Sequence, residues 1–328
     1  MNLRELAQIA NVSPSTVSKA FSNADDISDE TRQYIFSIAK KHGCFGKYYK
    51  RKFPKKIIAI LCPEISSDYY YNFVNQLQTR LEKINCLTVI STTDFSPSKQ
   101  AELVDYYSSY LQVDGIITFG LSSKLKKGYD TPIISIGHSE DENVDAIYSD
   151  TYPAIIEAIK YLKDNGHTKI AFIGENLTSK RLIYFRRAMT ENGLIPSSDD
   201  IVVCTQRFEN AGKLGVQQLL DNNTDATAIF CAYDYIALGA IKQLIDKGYS
   251  VPEDFSVIGI DNINVSKYIS RSLTTIDSHT EEQCRIICEL MKKKLENKFS
   301  QNKSNIHIKS DLIIRDTVCK RKEENGVN

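Results

Sequence analysis

Two sets of residues in this 328-residue chain have the types and spacing to do chemistry. The first is compact: Ser13, Pro14, Ser15, Thr16, Ser18 and Lys19, with Asn23 a turn later and Thr31 just beyond. On a helix starting at Pro14, Val17, Ala20 and Phe21 share an inner face, leaving Ser15, Thr16, Ser18 and Lys19 outside. Such a face suits the DNA major groove. Short side chains allow close approach, hydroxyls bond phosphates or base edges, and the ammonium meets a phosphate or a guanine. The second set is dispersed, but each member follows a short apolar run. Ser67, Asp68, Tyr69 and Tyr70 follow IIAILC, Arg181 follows KIAFIG, Tyr233 and Asp234 follow TAIFCA, and Asp261 closes FSVIGID. His279, with Ser278, comes later; His138 and Asp150 are weaker members of the same set. Carboxylates and guanidinium groups bond paired hydroxyls, and tyrosine faces stack on the C–H patches of sugar rings.

The elements that must position the first set are short helices. Leu3, Leu6, Ala7 and Ala10 recur at helical spacing. Asn11 stands where that helix stops and tolerates the left-handed backbone of a tight exit. Ser13 is an N-cap and Pro14 suits the first helical position. Ser28 caps a third helix with Asp29 and Glu30 in its first turn, Tyr34, Ile35, Ile38 and Ala39 inward, and Lys40 and Lys41 at its end. Thr31 and Arg32 on it can reach phosphates.

The second set needs an α/β body. IIAILC, LTVIST, DGIITFG and PIISIG are short continuous apolar runs of the buried parallel-strand type, separated by helices over 71–84 and 97–110. A second such series follows: helices over 152–165, 179–192, 210–222 and 234–247 alternate with KIAFIG, DIVVC, TAIFCA and FSVIGID. Two consecutive series predict two similar lobes with parallel sheets and a cleft between them, with ligands beyond the carboxyl ends of the strands.

Charge divides the chain in the same way. Residues 1–56 hold eleven basic and five acidic residues, a net of +6, so the rest carries −6. A basic head on an acidic body implies that only the head meets a polyanion. The head lacks the sustained amphipathic pattern with large apolar anchors that a membrane surface requires. No apolar run reaches the roughly 18 residues of a membrane span, and no signal peptide opens the chain. Eight scattered cysteines without metal-ligand spacing read as reduced core residues of a cytoplasmic protein, with no metal and no cofactor. No nucleotide loop, nucleophile elbow or zinc-protease motif is present, so an enzyme is not expected.

The stretch LRELAQIANVSPSTVSKAFSN resembles the N-terminal helix-turn-helix of the LacI/GalR family of bacterial transcription regulators. Ala7, Ala10, Val12, Ser13, Thr16, Val17, Ser18, Lys19 and Asn23 stand in that family's pattern; Asn11 replaces its usual glycine. NGHTKIAFIG, AYDYIALGAIKQLIDKGYSVPEDFSVIGIDN, SLTTID and LIIRDT are similar to the family's recurring phrases in the body, so the resemblance covers about Asn2 to Val318. It implies a body like the periplasmic sugar-binding proteins, with lobe crossings near Tyr148, Asp277 and Ile306. It also implies that Arg181 and Asp261 contact an effector, that Tyr69 and Tyr70 form a first-lobe aromatic wall, and that Asp234 lies in the family's second-lobe phrase, with Tyr233 where Asn is common. His167, in NGHTKI, is expected to be a structural surface histidine. Segment 44–56, CFGKYYKRKFPKK, departs from the family's hinge helix: it is about three residues short and has no leucine to wedge into the minor groove. A basic tether and an aromatic wedge from Tyr48, Tyr49 or Phe53 both remain open.

The expected organisation is a three-helix helix-turn-helix head over 1–43, a linker over 44–56, a two-lobed body over 57–320 and a tail over 321–328. The expected function is a sequence-specific transcription regulator, a repressor that responds to a sugar or sugar derivative. One short helix reads too few base pairs alone, so a homodimer on a near-palindromic operator in double-stranded DNA is expected. The alternative is a sugar-binding module whose head serves another contact.

Overall fold

The computed structural model describes every residue except 23, 49–54, 122–123, 126–128, 297–302 and 322–328. It contains two compact units, Met1–Lys56 and Ile57–Asn328.

In the first unit, α1 (Leu3–Ile9) is closed at its start by a reciprocal cap: the Glu5 N–H donates to Asn2 Oδ1 and the Asn2 N–H to Glu5 Oε2, both at 2.9 Å. Asn11 turns the chain with φ +52°, the left-handed conformation Asn tolerates best after Gly. The hydroxyl of Ser13 caps α2 (Pro14–Ser22) by accepting the Thr16 N–H at 3.0 Å, and Ser28 caps α3 (Asp29–Lys41) in the same way through Thr31. Leu6, Ala7, Ala10, Val17, Ala20, Phe21, Ile35, Phe36 and Ala39 form the core. Segment 44–56 does not begin as a free tether. Cys44 is buried, and a short helical turn, α4 (Phe45–Tyr48), lays Phe45 and Tyr48 against Phe21, with ring centres 5.9 and 5.7 Å away. Tyr48 is thus packed, partly buried, against the core of the head; Tyr49 and Phe53 lie outside the described residues.

The second unit continues with β1 (Lys56–Cys62), α5 (Asp68–Lys83), β2 (Cys86–Thr92), α6 (Pro97–Asp105), β3 (Gly115–Leu121), β4 (Ile133–Ser139) and β5 (Asp145–Asp150). It crosses to α7 (Tyr152–Asp164), β6 (Ile170–Glu175), α8 (Ser179–Glu191), β7 (Ile201–Cys204), α9 (Phe208–Asp221), β8 (Ala228–Cys231), α10 (Asp234–Asp246), β9 (Ser256–Ile260) and β10 (Thr274–Asp277). It returns through α11 (Thr280–Glu296) and β11 (Asn305–Lys309), and crosses again at Ser310 into β12 (Asp311–Ile313). The sheets order as β11-β5-β4-β3-β1-β2 and β12-β10-β9-β8-β6-β7. These are two lobes of one plan, each with its own buried core.

Several elements differ from expectation. The first body helix starts at Asp68, so Asp68, Tyr69 and Tyr70 sit in its first turn. The helix expected over 97–110 stops at Asp105 and widens into a π-helical turn, Tyr106–Tyr110. β12 runs antiparallel to β10, pairing Thr275 with Ile313 and Asp277 with Asp311, in an otherwise parallel sheet. The cause is continuity: β11 runs toward the interlobe region parallel to β5, and the same chain passes straight on into the second sheet. All eight cysteines are free thiols, seven of them buried. Cys319 and Arg321 donate backbone N–H groups to Ser256 and Asn165, so the chain is tied to the second lobe through Arg321; the remaining tail, 322–328, lies outside the described residues.

His167 is structural but not a surface residue. It is 2% exposed, with Nδ1 against Thr227 Oγ1 at 2.9 Å and Nε2 within 3.0 Å of both the Cys319 carbonyl and the Ser256 hydroxyl. Burial lowers its pKa below the ordinary value of 6.5. Below that value an unfolded chain takes a proton that the folded one refuses. The stability His167 contributes is thus complete above pH 6.5 and is lost as the pH falls toward the folded-state pKa, by at most about 1.4 kcal/mol per unit. Urea unfolding should show this slope in the native chain and not in His167→Gln; equal slopes in both would dismiss it.

Candidate functional site

On the head, Pro14, Ser15 and Ser18 are exposed, while Thr16, Lys19 and Thr31 are half-buried. The hydroxyls divide in two. Those of Ser13 and Thr16 bond each other at 2.7 Å, and those of Ser28 and Thr31 at 2.8 Å, so Ser13, Thr16 and Thr31 also hold the helix starts. Ser15 and Ser18 have no side-chain partner among the described residues and are free to read a ligand. Lys19 pairs with Asp26 from the following loop, and this contact lowers the Asp26 pKa. Both side chains are about half exposed, at 45% and 59%. Such pairs contribute little, so Lys19 exchanges Asp26 for a phosphate at small cost. Arg32 turns inward instead, donating to the Ala24 carbonyl at 2.7 Å. Asn23 lies outside the described residues.

In the body, a cleft of about 810 Å³ opens between the lobes at the carboxyl ends of their strands. Its charged centre is Arg181, in the first turn of α8. Nη2 donates to Asp261 Oδ1 at 2.7 Å, and Nη1 to the Ala232 carbonyl at 2.5 Å and to Asp261 Oδ2 at 3.4 Å. The pair lies within the second lobe rather than bridging the two, since α8 and β9 belong to the same lobe. Burial pushes the Asp261 carboxyl above its ordinary value while the guanidinium pulls it down. Asp261 has φ +108°, a conformation L residues rarely adopt, and strain of this kind persists where the surroundings impose it.

Tyr69 and Tyr70 line the cleft from the first lobe, ring edge to face at 5.1 Å, and burial raises both phenol pKa values. Ser67 is buried at the cleft's edge, its hydroxyl bound to Glu64 Oε1 at 2.5 Å. Asp68 does not line it; its backbone N–H reaches the Tyr235 hydroxyl of the other lobe at 3.4 Å.

Tyr233 and Asp234 both line the cleft, Asp234 as a fully buried residue with both oxygens in use. Oδ1 accepts from Thr275 Oγ1 at 2.5 Å and Oδ2 from the Ile263 N–H at 2.9 Å. Burial drives its pKa well above the ordinary value, and its part is to hold the loop that carries Asp261. His279 is not in this cleft. It lies in an adjoining groove that shares Tyr69, Asp261 and Ile263 with the cleft, with Nε2 2.8 Å from Asp311 on β12. His138 and Asp150 line the cleft.

Three comparisons bear on this arrangement. Residues 2–44 match the family described as bacterial regulatory proteins, lacI family, and residues 159–318 match the periplasmic binding protein-like domain. The HTH-type transcriptional regulator DegA of Bacillus subtilis is 31% identical over 298 residues, covering 85% of this chain and 86% of its own. This chain belongs to the LacI family. The HTH-type transcriptional repressor CytR of Escherichia coli is 27% identical, covering 84% of both chains. A LacI family regulator from Enterococcus faecium, solved with bound ribose, superposes with a TM-score of 0.71 at 25% identity, over 81% of this chain and all of its own. As a LacI family member, the chain is a DNA-binding transcription regulator with a periplasmic-binding-protein-like body. Among the described residues, no helix is long and apolar enough to cross a membrane.

Sequence reasoning missed several residues of this LacI-type cleft: Glu175, Arg207, Phe95 and Phe208. Glu175 is the last residue of β6, one position past the apolar run KIAFIG, and the strand-end rule reaches it if the strand is extended by one. Arg207 and Phe95 sit in loops with no local signal. Phe95 and Phe208 both have φ +58°, a conformation no sequence pattern here announces.

Proposed function

We propose that this LacI family member represses genes of carbohydrate use, binds a near-palindromic operator as a homodimer, and changes operator affinity when a sugar or sugar derivative occupies the interlobe cleft. The observation that carries the reading is the forked Arg181–Asp261 pair facing a tyrosine wall in that cleft. A guanidinium and a carboxylate held side by side supply the donors and acceptors that paired hydroxyls need, and aromatic faces cover the apolar side of a sugar ring. The ribose bound to the Enterococcus faecium relative supports the ligand class. The head supports the DNA reading through a short helix that presents Ser15, Ser18 and Lys19. Two heads related by a two-fold axis double the base pairs read. Ligand and operator are coupled where the ligand favours one arrangement of the body over another, and each then changes the other's affinity by the same factor.

Selection of bound sequences from a random duplex pool at moderate salt tests this directly. Enrichment of a two-fold symmetric motif is expected, and binding of that motif should change when a responsive sugar is added. Binding without enrichment would reduce the head to phosphate contacts. On the selected motif, Lys19→Ala should weaken binding and lower the salt slope by about 1, as loss of one phosphate contact requires. A salt slope and affinity equal to the native protein's would remove Lys19 from the interface.

A further inference from the structure

Asp261 meets Arg181 from a backbone that its residue type does not favour. Asp261 has φ +108° and Asn262 φ +50°, two residues in succession on the side of the map that L side chains avoid. Their surroundings must hold them there. The Asp261 N–H donates to the Ile276 carbonyl at 2.8 Å and the Asn262 N–H to Thr275 Oγ1 at 3.3 Å, so the main chain of the loop is bound along β10. The Asn262 side chain adds a second attachment. Its Oδ1 accepts from Arg315 Nη2 at 2.5 Å, and its Nδ2 donates to Asp277 Oδ2 at 2.9 Å. Arg315 is itself fixed, with Nη1 donating to the Leu273 carbonyl at 2.9 Å and to Ser266 Oγ at 3.2 Å. Asn262, Asp277 and Arg315 are all half-buried.

The two neighbours dictate the group between them. A guanidinium only donates and an ionised carboxylate only accepts, so the middle side chain must accept on one side and donate on the other. The Asn amide does this at two separate atoms. Asp277 is the last residue of β10, and from it the chain passes through Ser278 and His279 into α11 of the first lobe. Its other oxygen, Oδ1, accepts the His279 N–H at 2.8 Å, on a residue with φ +50°. His279 Nε2 in turn lies 2.8 Å from Asp311, where β11 has just crossed into β12. An unbroken run of bonds thus leads from the loop of Asp261 to two of the places where the chain crosses between lobes.

We infer that Asn262 is a positioning residue of the effector site: its amide, clamped between Arg315 and Asp277, holds Asp261 toward Arg181 and ties that carboxylate to the crossing between the lobes. A ligand that draws on Asp261 then moves the crossing and not the loop alone. The part Asn262 plays in the response rests on the effector reading proposed above; the clamp itself does not depend on what the ligand is. Asn262→Asp keeps the size of the side chain and the bond to Arg315, but sets a carboxylate against Asp277. Adding Asp277→Asn exchanges donor and acceptor. The two groups can then bond again in the reverse direction, while the oxygen of the new amide still takes the His279 N–H.

The test is a double-mutant cycle in the full-length protein: Asn262→Asp, Asp277→Asn and the two together. Amide hydrogen exchange is followed over segments 261–266 and 277–285. Binding to the selected operator motif is measured with and without a saturating sugar, whichever of ribose, glucose, cellobiose and maltose the native protein binds tightest. Asn262→Asp should speed exchange in both segments by about 10-fold and cut the sugar's effect on operator affinity from about 10-fold to below about 2-fold. The double variant should bring both readouts back to within about 2-fold of the native protein, a recovery that a general loss of packing does not produce. Native exchange in Asn262→Asp, an undiminished sugar effect in it, or a double variant no better than Asn262→Asp would each overturn the assignment. If none of the four sugars bound the native protein, the sugar reading would fall, and the exchange rates of the three variants would still decide whether the clamp holds the loop to the crossing.

Discussion

Arg181→Ala should abolish the effector response, lowering sugar affinity 100-fold or more, while operator affinity without effector stays as in the native protein. The two arms rest on different units. Arg181 binds only groups of the second lobe, Asp261 and the Ala232 carbonyl, and the DNA-facing residues belong to the separate head. Removing the guanidinium leaves Asp261, 8% exposed at its side chain, without its counter-charge. Breaking a buried pair in this way costs about 3–5 kcal/mol. Arg181 is itself 25% exposed, so the low end of that range applies. The variant sheds part of the cost by protonating Asp261, whose pKa burial already raises, and a protonated Asp261 accepts from fewer hydroxyls. Arg181→Lys keeps the charge but not the fork, and should fall between the two. Effector titrations followed by operator binding measure both arms; a normal sugar response in Arg181→Ala would refute the assignment.

How much of this was legible in the chain depends on how local the determinant is. The head is written in local chemistry. Ser13, Ser28 and Asn11 stop and start helices by bonds reaching three residues or fewer, and each stands where its residue type demands. The central strands were legible because a strand buried on both faces must be a short apolar run. β5 and β11 were not, since neither is a continuous apolar run: β5 reads DAIYSD, and β11, NIHIK, alternates half-buried and exposed residues. In the cleft, the strand-end rule found Arg181, Tyr233 and Asp261. The same rule named Asp234, which also lines the cleft, but it cannot tell an open carboxylate from one whose oxygens are already occupied. That distinction lies in Thr275 and the Ile263 N–H, 41 and 29 residues away. Arg207 and Phe95 escaped for the same reason: what makes them a site is a contact between lobes, more than a hundred residues apart in sequence.

Gly239→Ala should lower the stability of the body by about 3 kcal/mol, roughly 6–12 °C in Tm, and take sugar binding with it. Two glycines, Gly212 on α9 and Gly239 on α10, face each other's helix at backbone contact. A Cβ on Gly239 would press into the Glu209 carbonyl and one on Gly212 into the Ile236 carbonyl, well inside van der Waals distance. Overpacking against a side chain is relieved by a rotamer change, but here the obstacle on each side is main chain. The helices must separate, and that separation reaches the site. α9 begins at Phe208, beside Arg207, and α10 begins after Tyr233; the Phe208 N–H donates to the Tyr233 hydroxyl at 3.0 Å, and Tyr233 donates to Glu175 at 3.0 Å. The fit of α9 against α10 thus sets where Arg207, Tyr233 and Glu175 meet. Lys242→Ala, on the exposed face of α10, should change stability by no more than about 0.5 kcal/mol and leave sugar affinity alone. A Gly239→Ala protein melting within 1 °C of the native one would show that the helices yield more easily than their backbones imply. If it melted low yet bound sugar normally at 20 °C, the site would owe its geometry to the strand ends and not to this helix pair. The bond from the Phe208 N–H to Tyr233 argues for the helix pair, because it ties the start of one helix directly to the residue that caps the other.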